Sequence, residues 1–310
     1  MTEAERRRLV LLAYRICGSW ADAEDVVQQA SLEWLRLVRP AGNPAGWLTR
    51  TTVRRAIDVL RARQRAASYA GPWLPEPVVT DPGPHDAVEH EETLSMAFLT
   101  LAETLTPPQR AVVVLRALDF SHAEIAAILD ITAAASRQHQ LRATRRLELA
   151  GPSVGRGPAA RQSVEDGVAA QAAGPAARMS DGGGAAAQAA HLLGAFVAAA
   201  RSGDVDRLTE LLHADVRAYQ DGGGKARAAR RVLVGAANVA RFTVGVAGLH
   251  RARRTVAFVD VNGAPGAVIM LSGIAHVLSA EIRDGRIYRL FDVCNPDKLT
   301  TLRRVVEGAA

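Results

Sequence analysis

The stretch from Gly151 to Gly184 constrains this chain more than any other segment. It is built from Gly, Ala, Pro and polar residues, with a few valines, one methionine, and no Leu, Ile or aromatic side chain. Such a stretch cannot bury enough apolar surface to offset the entropy of ordering itself, so it reads as a flexible linker. The chain therefore has to build separate cores on either side of it. As a random coil it spans roughly 30–35 Å, enough for the C-terminal part to reach back over the N-terminal part. A second, shorter break lies at Gly71–Pro84, where five prolines interrupt any regular element. Three folding blocks follow, 1–66, 92–150 and 186–310, joined by connectors at 67–91 and 151–185.

The first two blocks carry helix-period patterns. Ser19-Trp20-Ala21-Asp22 reads as a capping box ahead of Val27, Ala30, Trp34 and Leu37 on one helix face. A further helix is expected over Arg50–Arg65, with Ile57 and Leu60 on its apolar side. Thr106-Pro107-Pro108-Gln109 starts another, with an N-cap and Pro at the first helical position. Ser121-His122-Ala123-Glu124 is again a capping box, and Thr132 can cap the helix after it. Two short helices at 122–129 and 133–148, joined at Asp130-Ile131, give a helix-turn-helix pattern. The third block changes period. Helices are expected over Ala186–Ala200 and Val205–Leu212. Strands follow at Val256–Val261, Ala267–Leu271, Ala275–Ile282 and Ile287–Val293, with Asn262-Gly263 and Asp284-Gly285 as hairpin turns. Helices followed by an antiparallel meander predict an α+β layer structure.

Charge and composition narrow the function. The chain carries 38 basic and 32 acidic groups, and its 310 residues divide them unevenly. Residues 1–70 hold a net +5, 71–105 a net −7, 106–150 a net +2 and 186–310 a net +6. Two basic helical blocks around an acidic connector suit a nucleic-acid binder with a separate negative strap. Of the basic residues 36 are Arg and only two are Lys, at Lys225 and Lys298. In such a background a surviving lysine points to a site that wants a compact ammonium. Cys17 and Cys294 make no disulfide framework and have no zinc-ligand spacing to His. No signal-peptide h-region and no run of about 18 apolar residues occurs, so a soluble, cytoplasmic protein without a membrane contact is expected, and no cofactor is implied.

Asp22-Ala23-Glu24-Asp25-Val26-Val27-Gln28-Gln29 crowds acids and amides onto two helix turns. Alone, that is a solvated face. It is followed, however, by Asn43-Pro44-Ala45-Gly46-Trp47-Leu48, an Arg-rich helix containing Ala56-Ile57-Asp58, and a helix-turn-helix containing Glu124-Ile125-Ala126. In this order and spacing, residues 1–150 resemble an extracytoplasmic-function sigma factor, regions 2 and 4. The resemblance implies that Asp22, Glu24, Asp25, Gln28 and Gln29 dock on the core of RNA polymerase. It implies that Trp47, Arg50, Arg54, Arg55 and Arg61, with the loop before that helix, engage the −10 element of promoter DNA. Cations for phosphates and a platform for an unstacked base are what opening DNA requires. Trp47 fits a platform or a core position equally. Ser136, Arg137, Gln138, Gln140 and Arg142 are the residues placed to meet the −35 element, Arg suiting guanine and Gln adenine. Ser136 and Gln140 stand where apolar packing residues are usual, and Asp130 where Gly often makes the turn. Burial of those polar groups is expected to weaken the unit.

Trp73-Leu74-Pro75-Glu76-Pro77 in the connector reads either as a stiff spacer or as a docking strip. Its acids could also occupy a positive channel of the polymerase. Together with Asp221-Gly222-Gly223-Gly224-Lys225 and Asn295-Pro296-Asp297-Lys298-Leu299, it resembles the sigma-factor group fused to a C-terminal SnoaL-like domain. That implies an α+β cone of the nuclear-transport-factor type, modulating the sigma factor in cis by an intramolecular contact. Cones of this type also house acid–base chemistry. The ionisable residues on hand are His213, Asp215, Tyr219, Asp260, His276 and Asp292, and no pair has a diagnostic spacing. His213-Ala214-Asp215 reads as a cap and turn. A protein-binding regulator is therefore preferred to a small-molecule pocket or to an enzyme. Two rival functions remain: a helix-turn-helix regulator working without core polymerase, and a cyclase- or isomerase-type enzyme with a DNA-binding appendage.

Overall fold

The computed structural model describes residues 1–37, 42–65, 69–80, 94–150, 182–249 and 254–302. The flexible-linker expectation for 151–181 and the connector acids at 81–93 lie outside the described residues. The chain forms two compact units. The first comprises Met1–Ala67, Glu92–Leu94 and Phe98–Pro175; the second comprises Ser68–Glu91, Ser95–Ala97 and Ala176–Ala310. The proline-rich strip is therefore part of the C-terminal unit rather than a free spacer.

In the first unit, α1 (Glu3–Cys17), α2 (Trp20–Leu35) and α3 (Pro44–Arg65) pack on one another around Leu12, Tyr14, Ile16, Val26, Val27, Val53 and Leu60. Thr2 and Glu5 close a capping box on α1, and the Ser19 hydroxyl accepts from the Asp22 amide at 3.2 Å. The third helix starts six residues before Arg50, at Pro44, because Pro suits the first helical turn and the Asn43 side chain accepts from the Gly46 amide. The expected loop around Trp47 is thus helix. Next come α4 (Met96–Ala102), α5 (Pro107–Ala117), α6 (His122–Leu129) and α7 (Ala133–Ala150). Capping boxes at Thr106/Gln109 and Ser121/Glu124 start α5 and α6. Asp130 makes the turn into α7 with φ 59° and ψ 49°, a left-handed conformation that Asp tolerates better than most residues.

Buried charge ties the two helical blocks of this unit together. Arg110 is fully buried; its Nε donates to the Arg15 carbonyl at 3.2 Å and its guanidinium meets Glu103. Glu103 also takes two bonds from Arg63 at 2.7 and 2.9 Å. Two cations on one carboxylate satisfy a site where an unpaired charge would be costly.

The second unit holds α8 (Gly182–Ser202), α9 (Val205–Leu211) and α10 (Ala236–Leu249) against a curved sheet. Its strands are β1 (Val79–Thr80), β2 (Leu212–Asp221), β3 (Leu233–Val234), β4 (Arg254–Val261), β5 (Ala264–Leu271), β6 (Ile274–Arg283) and β7 (Arg286–Val293), in the order β1-β4-β5-β6-β7-β2-β3. The meander β4 to β7 forms as expected. Its turns at Asn262-Gly263 and Asp284-Gly285 place both central residues at positive φ, which the right-handed twist of a two-residue hairpin favours. The sheet is mixed rather than purely antiparallel, since β2 pairs parallel to β7. The extra edge strand, β1, comes from the connector.

Because side chains alternate along a strand, the sheet has two apolar faces. Ala218, Ala267, Leu278 and Leu290 face the helices; Val268, Val277, Phe291 and Val293 face the other way. The second face is covered by Leu74 of the strip, with Leu299 and Leu302 from two 3-10 turns, Pro296–Lys298 and Thr300–Leu302. No described helix is long and apolar enough to cross a membrane.

Candidate functional site

Three sequence motifs separated by up to 220 residues meet at Asp221. It ends β2, is fully buried, and accepts four donors. These are the Tyr69 hydroxyl at 2.5 Å, the Leu74 amide at 2.8 Å, the Gly223 amide at 3.0 Å and Lys298 Nζ at 2.7 Å. Lys298 also donates to the Leu74 carbonyl, and its ammonium lies 3.8 Å from the Trp73 ring centroid and 5.0 Å from that of Tyr69. The strip is thereby gripped by its backbone on both sides of Leu74, while Leu74, Pro75, Glu76 and Pro77 are all buried. Of the two readings of the strip, the docking one is correct for its described part.

The glycines of Asp221-Gly222-Gly223-Gly224 have a steric reason. A Cβ on Gly222 would stand 2.4 Å from the Ala226 carbonyl oxygen, and one on Gly223 2.3 Å from the Asn295 amide nitrogen. Asn295 in turn donates to the Tyr69 hydroxyl at 2.9 Å and caps the Pro296–Lys298 turn through the Asp297 amide. Burial and the Asp221 carboxylate push the Tyr69 phenol well above its ordinary value, so it remains a donor. Tyr69 was not singled out in the sequence; lying four residues before Trp73, it carries no motif. The two lysines separate sharply: Lys298 is buried, whereas Lys225 pairs with Asp297 at 2.6 Å on the surface.

On α2, Asp25, Gln28 and Gln29 are exposed, and Asp22 and Glu24 are half-buried. Leu32 and Leu35, 44% and 77% exposed, continue the same stripe at three- and four-residue steps, so the face is mixed acidic and apolar. Those two leucines were missed; the helical period running past Gln29 was the available signal. Gln29 accepts from Arg55 at 2.7 Å, and Arg55 also meets Glu33.

The arginines of α3 have different employments. Arg50 and Arg61 are exposed, Arg61 pairing with Asp58 at 3.1 Å. Arg54 reaches the helix-turn-helix: its Nε donates to the Ile128 carbonyl at 2.9 Å and its other nitrogen lies 3.7 Å from Asp130. Trp47 is half-buried and packs at 5.6 Å between centroids against Trp34.

On α7, Arg137, Gln138 and Arg142 are exposed and Gln140 is half-buried. Ser136 is fully buried, so it is corrected from a base-reading residue to a packing one. His122 Nδ1 lies 2.9 Å from its hydroxyl, which satisfies the buried group and removes the packing penalty expected of it. Burial, Arg116 and Arg137 hold the His122 imidazole below its ordinary value, which keeps the ring neutral for that bond.

The helix-facing side of the C-terminal sheet holds a pair that sequence spacing did not reveal. His276 Nδ1 is 2.9 Å from Asp292 Oδ1, and Asp292 Oδ2 accepts from Gln220 at 3.1 Å. His213 contacts the Asp215 amide locally and packs on Tyr288; Tyr219 stacks on Phe291; Asp260 sits in the β1–β4 pairing. Among the described residues, His276, Asp292 and Cys294 offer ligand atoms within 4.8 Å of one another. Burial and the Asp292 and Asp221 carboxylates hold the Cys294 thiol protonated, a poor donor to a metal ion.

Comparison with known proteins places these features together. Family models described as "Sigma-70 region 2" and "Sigma-70, region 4" match residues 1–66 and 95–147. The chain is 35% identical to the ECF RNA polymerase sigma factor SigJ of Mycobacterium tuberculosis, over 96% of this chain and 92% of that protein. It is 30% identical to the ECF sigma factor SigG of the same species, over 69% of this chain and 58% of its relative. The crystal structure of M. tuberculosis SigJ superimposes with a TM-score of 0.72 at 31% identity, covering 96% of each chain.

Proposed function

The chain belongs to the extracytoplasmic-function RNA polymerase sigma factors, and from that premise we propose that its SnoaL-like C-terminal domain sets initiation activity in cis by holding the connector between regions 2 and 4. A sigma factor is not an enzyme; it gives RNA polymerase its promoter specificity, and its partners are core polymerase and promoter DNA. The single observation that carries the proposal is the buried Asp221–Lys298 grip on the backbone of Leu74. A connector bound this way has fewer conformations than a free one, so the spacing available to the two DNA-reading regions is set by the C-terminal domain. Because grip and strip share one chain, local concentration is about millimolar and even a weak contact would be populated.

Within this reading, the Asp25, Gln28, Gln29, Leu32 and Leu35 stripe meets core polymerase, with Asp22 and Glu24 at its margin. Arg50 and Arg61 face −10 phosphates, with Trp47 as the base platform. Arg54 and Arg55 join them only after releasing Ile128, Asp130, Gln29 and Glu33. Arg137, Gln138 and Arg142 read the −35 element with Gln140 at the edge. The protein acts in the cytoplasm, where its polymerase is. Transcription by residues 1–170 with core polymerase tests the cis role: a rate equal to that of the full chain removes it. Retention of the chain on immobilised core enzyme separates this reading from a polymerase-independent regulator.

A further inference from the structure

The C-terminal unit contains a cavity that the regulatory reading does not use. It has a volume of about 800 Å³, partly open to solvent, between α8, α10 and the concave side of the sheet. That is within the range of small-molecule pockets, about 300–1,000 Å³. Its walls are apolar, with Phe196, Phe242, Val246, Ile269 and Leu278 among them. Polar groups converge at one place only, where His276, Asp292 and Gln220 line the wall. Arg201 lines it too, from an exposed position on α8.

A purely structural histidine in such a wall has its polar atoms spent on protein partners. Here Asp292 holds Nδ1, Gln220 holds Asp292, and the Gln220 carbonyl oxygen accepts from the Ala229 amide at 2.8 Å. Every member of the chain is satisfied except His276 Nε2, which has no hydrogen-bond partner among the described residues. The side chains of His276 and Asp292 each retain 11% exposure, so the pair is reachable from the cavity and not sealed behind it.

We propose that this cavity is a binding site for a lipophilic small molecule bearing a carbonyl or similar acceptor oxygen, seated with that oxygen on His276 Nε2. Burial opposes the charge on His276, but the Asp292 carboxylate and its hydrogen bond outweigh burial and raise the imidazole above its ordinary value. The ring is then a donor at both nitrogens, and Nε2–H offers the ligand a charge-assisted bond. Apolar walls supply the affinity and the single donor supplies the selection, the usual division of labour in such pockets. Gln220 directly precedes Asp221 on β2, so the polar end of the cavity is one residue from the carboxylate that grips the strip.

The test uses the full chain and two probes that differ by one oxygen, 2-acetylnaphthalene and 2-ethylnaphthalene, in equilibrium dialysis at pH 6. The ketone is expected to bind, and to bind about tenfold or more tightly than the hydrocarbon, the usual return of a hydrogen bond to a charged group. His276→Phe is expected to abolish that preference while keeping hydrocarbon binding, and Val246→Trp, which fills the cavity, to abolish both. The wild-type comparison needs no variant to fold. Failure of the wild type to bind either probe, equal binding of the two, or binding that survives Val246→Trp would each overturn the proposal.

Discussion

At the residue scale, burial separates interactions that look alike on paper. Lys298 and Lys225 share a rarity in composition and a carboxylate partner, yet only Lys298 is withdrawn from water. Asp221→Asn leaves that ammonium buried beside a neutral amide, and breaking a buried pair from one side costs about 3–5 kcal/mol. The loss is expected in the thermal transition of the C-terminal unit and in faster amide exchange over residues 69–78. Lys225→Ala removes a pair whose side chains are 57% and 61% exposed, worth at most about 1 kcal/mol, and should leave both readouts unchanged. A second residue-scale prediction concerns pH. His276 is raised in the folded state, first opposed by burial and then favoured by Asp292. Its protonated pairing therefore stabilises the C-terminal unit fully below the ordinary imidazole value of 6.5 and is lost as pH rises through the raised value. Melting temperature should fall across that window in the wild type, and His276→Gln should flatten the fall.

At the element scale, turns and caps were legible because their chemistry is local. Asn262-Gly263 and Asp284-Gly285 mark hairpins wherever they sit, and the capping boxes of α5 and α6 need only four consecutive residues. The strand β1 was not legible. Val79-Thr80 has nothing of its own to bury and pairs only because the edge of β4 is there to receive it. The His276–Asp292 pair lay between these cases. The Asp284-Gly285 turn folds β6 on β7 and sets Leu278 opposite Asp292, one pleat from His276, so register and not spacing was the signal. The helix-turn-helix misled in one respect, since Ser136 looks like a groove residue until His122 is placed beside it. For the Asp221-Gly222-Gly223-Gly224 loop the expectation is quantitative. Gly223→Ala meets both a positive φ of 58° and the Asn295 side chain, whereas Gly273→Ala meets a φ of 86° with nothing within 4 Å. Backbone strain alone costs roughly 1–2 kcal/mol, so Gly273→Ala should lose about that much. Gly223→Ala should lose more, and should loosen Tyr69 through Asn295; equal losses would show that the close approach does not matter.

At the scale of the whole molecule, connectivity does the regulating. The strip is covalently part of the link between the two DNA-reading blocks and structurally part of the C-terminal unit, which makes that unit's stability a term in how the sigma regions can be arranged. The composition anomaly of two lysines among 38 basic residues pointed to this contact, but could not show that one lysine grips and the other decorates. The central claim is tested most directly by run-off transcription with core polymerase, on a promoter selected by the full-length holoenzyme, comparing wild type with the full-length Asp221→Asn variant. If the grip sets activity, the variant's initiation rate should differ from wild type by about tenfold or more, in the same direction as that of residues 1–170, with retention on core polymerase unchanged. An initiation rate equal to wild type, in a variant whose strip exchanges its amides freely, would contradict the account.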